Sequence, residues 1–392
     1  MRSFTVDERR ARLARRHLLT TEPGAASIAD IASQLVGLHA TDPTTPFLSL
    51  WARLPGFQVA DLEAALYRDR AVVKHLAMRR TLWVLTAGDL AAVQTAASDR
   101  VAANERKRLI ADVQKSGIAD DGERWLGRAS KAVLAHVTKH GPTGARELRE
   151  ALPELAGNHD PAPGKPWGGA TPVAPRVLTV LAVEGSLVRG PNDGAWTTAR
   201  PRWTSASAWL GAAGDPAAAD AARSAVVLAW LRAFGPATVN DLKWWFGSTL
   251  TWARDGLRDV GAVEVDLHGT PGYALADDLE PEPDTESWCA LLPGLDVTTM
   301  GWQARDWYLG EHGSQVFDNR GNAGPTAWVD GRIVGAWRQD DDGRVVPILI
   351  ENVGAKASKA LARKADELTD WLDGVRINPR FPSPMSKALP KG

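Results

Sequence analysis

The chain has 392 residues, a formal net charge of −1, 44% hydrophobic residues and 24% charged residues. That length exceeds a single hydrophobic core and predicts two to four modules, and the near-neutral balance argues against a protein that coats nucleic acid non-specifically. No apolar run approaches the roughly 18 residues that span a bilayer, the charged N-terminus is no secretory signal, and the single Cys289 excludes an intrachain disulfide and a cysteine-based zinc site, so a cytoplasmic protein is expected.

Arg9, Arg10, Arg12, Arg15 and Arg16 make the first predicted helix basic; it reads as a solvated face or as a local basic patch. The segment 33–57, SQLVGLHATDPTTPFLSLWARLPGF, follows. Ile31, Leu35 and Leu38 share a helical face, and Pro43 and Pro46 are expected to hold an extended corner. His39, Thr41 and Asp42 thus cluster at a helix end. Next comes Met78-Arg79-Arg80-Thr81-Leu82, leading into a strand over 82–85.

Residues 131–152, KAVLAHVTKHGPTGARELREAL, and 226–246, VVLAWLRAFGPATVNDLKWWF, repeat one pattern. Each is an apolar helix, Gly-Pro, then Thr and a second helix. Gly141 and Gly235 suit left-handed helix stops, and Thr143 and Thr238 suit caps. A third helix and a hairpin follow each copy, the first turning at 191–194 and the second at 268–272. Helix-turn-helix plus hairpin is a winged helix, and residues 1–120 fit a divergent third copy. Beyond the acidic stretch 277–286, short strands are predicted over 288–292, 327–329, 332–337 and 345–350, with turns at Asp330-Gly331 and Asp342-Gly343. A helix over 356–371 carries Lys356, Lys359, Arg363 and Lys364, and a Pro-rich tail begins after Arg376.

Three blocks carry a family resemblance: the 36–53 segment, the 78–82 block, and 319–337, NRGNAGPTAWVDGRIVGAW. They resemble the signature of a bacterial winged-helix DNA glycosylase family, the azinomycin-resistance and crosslink-repair group. The resemblance covers nearly the whole chain. It implies an α+β fold: three tandem winged helices (1–120, 121–205, 206–280), then a small β-barrel-like domain with a C-terminal helix (281–392). It also implies a C-shaped molecule with DNA across its concave face. Where the family carries a Gln-hydrophobic-Gln or Gln-hydrophobic-Asp triplet, this chain has His39-Ala40-Thr41.

By that resemblance His39, Thr41 and Asp42 are the catalytic candidates. His39 would take a proton from water, Thr41 would place the water, and Asp42 would orient His39 or cap the next turn. Arg79, Arg80, Asn319, Arg320 and Asn322 are the candidate DNA contacts, with a solvated face or a brace as the alternative for each. The implied activity is monofunctional hydrolysis of the N-glycosidic bond of bulky or crosslinked N7-alkylguanine, in repair or antibiotic self-resistance. No metal or cofactor is called for, and no lysine stands at the matched positions for Schiff-base chemistry. The partner is double-stranded DNA with alkylated guanine, bound by a monomer with no membrane contact. A non-catalytic winged-helix DNA-binding or regulatory protein is the alternative.

Overall fold

The computed structural model describes residues 1–20, 27–162, 164–165, 168–211, 217–283 and 285–388. The chain divides into two compact units, one made of Met1–Leu62 with Arg223–Gly392 and the other of Glu63–Ala222. Helices and antiparallel sheets mix in both.

In the second unit, strands Val72–Leu76 and Leu82–Thr86 pair antiparallel around the turn Met78–Arg80. The predicted strand over 82–85 is therefore present. Helix Gly122–His140 ends at Gly141, whose φ of 77° favours glycine as the sequence implied, although its ψ of −160° is not that of a left-handed helical stop. Helix Ala145–Ala151 follows, but its cap is Gly144 rather than Thr143. The Thr143 hydroxyl instead donates to the Gly141 carbonyl at 2.9 Å, while the Glu147 carboxylate accepts the Gly144 N–H at 3.2 Å. Helix Ala174–Val183 and the hairpin Leu187–Asn192 with Pro201–Ser205 complete the pattern. The core of this unit is apolar and continuous, from Leu109 and Leu126 through Leu148 and Val177 to Trp203.

The corresponding elements are helix Ala219–Phe234, which enters the first unit at Arg223, then Val239–Phe246, Leu250–Asp259 and the hairpin Ala262–Asp266 with Pro271–Leu275. Thr238 is the expected cap: its hydroxyl accepts the Asp241 N–H, and the Asp241 carboxylate accepts the Thr238 N–H in return. Gly235 differs from expectation. Its φ is not left-handed, and glycine is required there because a Cβ would meet the Leu231 carbonyl oxygen at 2.4 Å.

The C-terminal sheet is an open meander, Cys289–Leu292, Thr326–Val329, Arg332–Gln339 and Val345–Leu349, in sequence order. The barrel-like expectation is thus corrected: the first and last strands do not pair to close it. Helix Gly354–Leu372 packs on both of those edge strands and buries Leu361, Ala365, Leu368 and Leu372, a cover that answers the edge problem without closure. Asp330 and Gly331 have φ of 47° and 78°, as a two-residue turn of that kind needs.

The basic first helix is neither a solvated face nor a basic patch. Arg12 and Arg16 bind Asp278 at 3.1 and 2.8 Å, and the Glu280 carbonyl accepts from Arg12 at 2.5 Å. The acidic stretch therefore neutralises the basic helix (residue 284 of that stretch lies outside the described residues). Arg9 stacks on Trp307 at 4.2 Å, and desolvation by burial pulls its pKa down to about 10. Near the C-terminus, Lys364 and Arg363 both face Glu367. Among the described residues no helix is long and apolar enough to cross a membrane.

Candidate functional site in the first unit

The helix before the matched segment is shorter than its apolar spacing suggests. It runs Ile28–Gln34, and the Gly37 N–H then closes on the Ala32 carbonyl at 2.7 Å. Val36 and Gly37 take φ of 55° and 101°, which ends the helix in a left-handed turn. A β-branched residue at positive φ is a strained outlier. Leu38 and His39 come out of this turn extended, not helical. Pro46 does not hold an extended corner either; it lies in the first turn of helix Thr45–Trp51, where its missing N–H costs nothing.

His39 is buried and Thr41 half-buried. The Thr41 backbone N–H donates to His39 Nδ1 at 3.4 Å, so the segment folds back on the imidazole. A neutral ring that accepts at Nδ1 carries its proton on Nε2. The same imidazole is the group to which the resemblance assigns proton transfer.

Asp42 is buried and its carboxylate is engaged on both oxygens. Oδ1 accepts the Thr44 N–H at 3.0 Å and the Thr44 hydroxyl at 2.7 Å. Oδ2 accepts the Arg380 backbone N–H at 2.8 Å. This is the turn-capping arrangement of a short acidic side chain. It also joins the matched segment to the chain's C-terminal stretch, where the Arg380 guanidinium donates to the Thr41 carbonyl at 3.1 Å.

Helix Thr45–Trp51 is anchored from below. The Thr45 hydroxyl donates to the Gly294 carbonyl at 2.7 Å and the Ser49 hydroxyl to Asp296 at 2.6 Å. Arg53 forms a fork with Asp296, 2.9 and 2.8 Å, with both side chains fully buried. Burial alone would push the Asp296 carboxyl up, but the Arg53 charge and the hydrogen bonds from Arg53, Ser49 and the Thr298 N–H reverse this and hold it below its ordinary value. His17 completes the cluster, bonded to the Thr298 hydroxyl at 2.8 Å; burial, with the nearby Arg53 charge adding to it, lowers its pKa to about 3.

The third matched block braces the same floor. The Leu295 N–H donates to the Ala323 carbonyl at 3.1 Å. Asp318 ties the turn: one carboxylate oxygen accepts the N–H groups of Arg320 and Asn322, and the other accepts the Asn322 amide. Asn322 is therefore spent inside its own turn, whereas the side chains of Asn319 and Arg320 are exposed. Arg79 and Arg80 belong to the second unit, at consecutive positive φ of 52° and 62°. Arg80 is committed to buried Glu105 through a two-point pair at 2.7 and 3.0 Å.

The structure thus brings His39, Thr41 and Asp42 together on one short corner, with the 319–322 turn behind the same loop. Arg380 and the Ser49–Arg53–Asp296–His17 cluster are the residues the sequence reading missed. A polar i,i+4 pair, Ser49 and Arg53, on an otherwise apolar helix was the available signal for the cluster; Arg380, in a Pro-rich tail, offered none.

Residues 32–371 match the model of the family described as DNA glycosylase AlkZ-like. The chain belongs to the AlkZ-like DNA glycosylase family. Members of this family are named DNA glycosylases, hydrolases that act on N-glycosyl bonds. One relative of the AlkZ-like chain described here is the interstrand DNA cross-link repair glycosylase of Streptomyces sahachiroi, 33% identical over 180 residues. That match covers 43% of this chain and 47% of the relative, so it spans about half the relative's length. The fold is similar to that of the solved Streptomyces sahachiroi DNA glycosylase AlkZ, with a TM-score of 0.72, 23% identity, and coverage of 97% of this chain and 99% of that one.

Proposed function

We propose that this AlkZ-like chain is a monofunctional DNA glycosylase that hydrolyses the N-glycosidic bond of bulky or crosslinked N7-alkylguanine in duplex DNA. Its role in the cell would be repair of such lesions or self-resistance to the agent that makes them. The two helix–helix–helix–hairpin sets support a reading of 121–205 and 206–280 as winged helices, with 1–120 as a third, and such units serve to grip DNA.

The observation that carries the proposal is the folded-back corner in which the Thr41 N–H meets His39 Nδ1 while Asp42 locks the turn beneath. Alkylation at N7 makes the base a cation and a good leaving group, so strong acid catalysis is unnecessary. What remains is to hold a water at the sugar's anomeric carbon and to steady a cationic sugar. The Thr41 hydroxyl oxygen can accept a hydrogen bond from the water and place it, the water's proton passes by way of His39 to solvent, and the base leaves with the bond electrons as neutral N7-alkylguanine. Buried as it is, the His39 ring is held in one pose, so the water is met without reorganisation. Asp42 serves as the brace that fixes both.

The test is single-turnover incubation with duplexes carrying either N7-methylguanine or a bulky intercalating N7 adduct, scored by alkali cleavage at abasic sites. The expected result is release of the bulky adduct, lost in His39→Ala. Duplex binding by the wild-type protein without release from either substrate would overturn the proposal in favour of a non-catalytic DNA-binding protein.

A further inference from the structure

We propose that Arg380 is a phosphate-binding residue for DNA lying over the His39–Asp42 corner. This deepens the glycosylase reading and rests on it only for the identity of the duplex.

Three observations point to this. First, the C-terminal strap that carries Arg380 is fastened along its length. The Gln339 side chain donates to the Val375 carbonyl at 3.0 Å and accepts the Ile377 N–H at 2.7 Å. Ser383 is buried against Gly324, where an added Cβ would meet the Ser383 backbone nitrogen at 2.5 Å. Second, Arg380 is anchored at both ends of the residue, by its N–H to Asp42 Oδ2 and by one guanidinium nitrogen to the Thr41 carbonyl. Third, that single bond uses one N–H of the five a guanidinium offers, the residue is exposed, and no ion pair holds it among the described residues.

The contrast with neighbouring arginines is what gives this weight. Arg53 is saturated by Asp296, the Ser49 carbonyl and Thr298. Arg376, four residues earlier on the same strap, donates to the Asp340 and Asp341 carbonyls. Arg376, though exposed as well, commits both terminal nitrogens to carbonyls, whereas Arg380 commits one and keeps the other terminal nitrogen and Nε uncommitted among the described residues. A pre-aimed guanidinium loses little freedom on binding, and its planar fork matches two phosphate oxygens. It sits directly on the backbone of Thr41, so a phosphate bound there lies beside the groups proposed to act on the sugar.

The experiment measures the salt dependence of binding by the full chain to a short duplex carrying a tetrahydrofuran abasic analogue. Wild type, Arg380→Ala, Arg380→Lys and Arg376→Ala are titrated over a range of NaCl. One phosphate contact contributes about 0.9 to the slope of log K against log [NaCl]. Arg380→Ala should flatten the slope by about that amount, Arg380→Lys should restore it, and Arg376→Ala should match wild type. A slope unchanged in Arg380→Ala overturns the proposal. So does an equal flattening in Arg376→Ala, which would show that a loosened strap, and not a lost contact, is responsible. Binding does not require turnover, so a wild-type protein that releases no base would sink the glycosylase reading while the slopes still decide Arg380.

Discussion

At position 39 this chain carries imidazole where the resemblance implies a glutamine amide. A neutral imidazole combines one acceptor nitrogen with one donor, and a glutamine amide also combines an acceptor with donors. His39→Gln should therefore keep base release within about tenfold of wild type, whereas His39→Ala, which leaves the water one partner short, should lose about 100-fold or more. Parallel single-turnover rates check this; a dead Gln variant would argue that proton transfer by imidazole is essential. Below the corner, Arg53 and Asp296 form a fully buried pair. Removing one partner leaves an uncompensated buried charge, so Arg53→Ala should lose about 3–5 kcal/mol of stability, read from urea midpoints. The sequence located this corner because its residues fall in one short stretch. It could not show that Asp42 is spent on Thr44 and Arg380, since the strap arrives from 338 residues away.

The same contrast between near and far holds for whole elements. Both helix-turn-helix sets, their third helices and the strands of both hairpins were legible, because Gly-Pro stops and strand patterns act within a few residues; the first hairpin, however, does not turn at 191–194, since its strand runs on to Asn192 and the connection spans 193–200. Two further details were not legible. Thr143 stands two residues after its glycine and Thr238 three, so only Thr238 falls on the cap position, which Gly144 takes in the first copy. The Pro43–Pro46 corner was misread because Pro in the first turn of a helix leaves the same local signature as Pro in an extended link. An element-scale prediction follows from the turn before His39. Gly37 sits at φ 101°, where an alanine is strained whatever its surroundings. Gly37→Ala should cost about 1–3 kcal/mol and slow base release as well, because the strain relaxes directly into the backbone of Leu38 and His39. Thermal melting together with single-turnover rates tests it, and a variant with wild-type rate and stability would show that the turn does not set the corner.

At the scale of the molecule, the first 62 residues join the last 170 in one compact unit, a closure that no reading along the chain reveals. The open sheet was likewise hidden, because strand length and turns are the same whether or not the last edge closes. Each unit also buries a histidine. Burial lowers the pKa of His17 to about 3, and burial lowers that of His75, whose Nε2 meets the Ser98 hydroxyl at 3.1 Å, to about 4. Both depressed values work in one direction. In the unfolded chain these rings bind protons below about pH 6.5, while the folded chain keeps His75 neutral down to about pH 4 and His17 down to about pH 3. Over that window the unfolded state holds more protons, so stability is full above the unfolded value and declines as the pH falls. Each histidine contributes a slope of about 1.4 kcal/mol per pH unit. Urea midpoints should therefore drop steadily from pH 6.5 to pH 4, well before carboxylates such as Asp296 begin to protonate. In His17→Gln the slope for the first unit should flatten while that for the second persists, whatever the variant's stability at pH 7. Midpoints that hold level between pH 6.5 and pH 4.5 would mean that both rings gain a proton inside the fold.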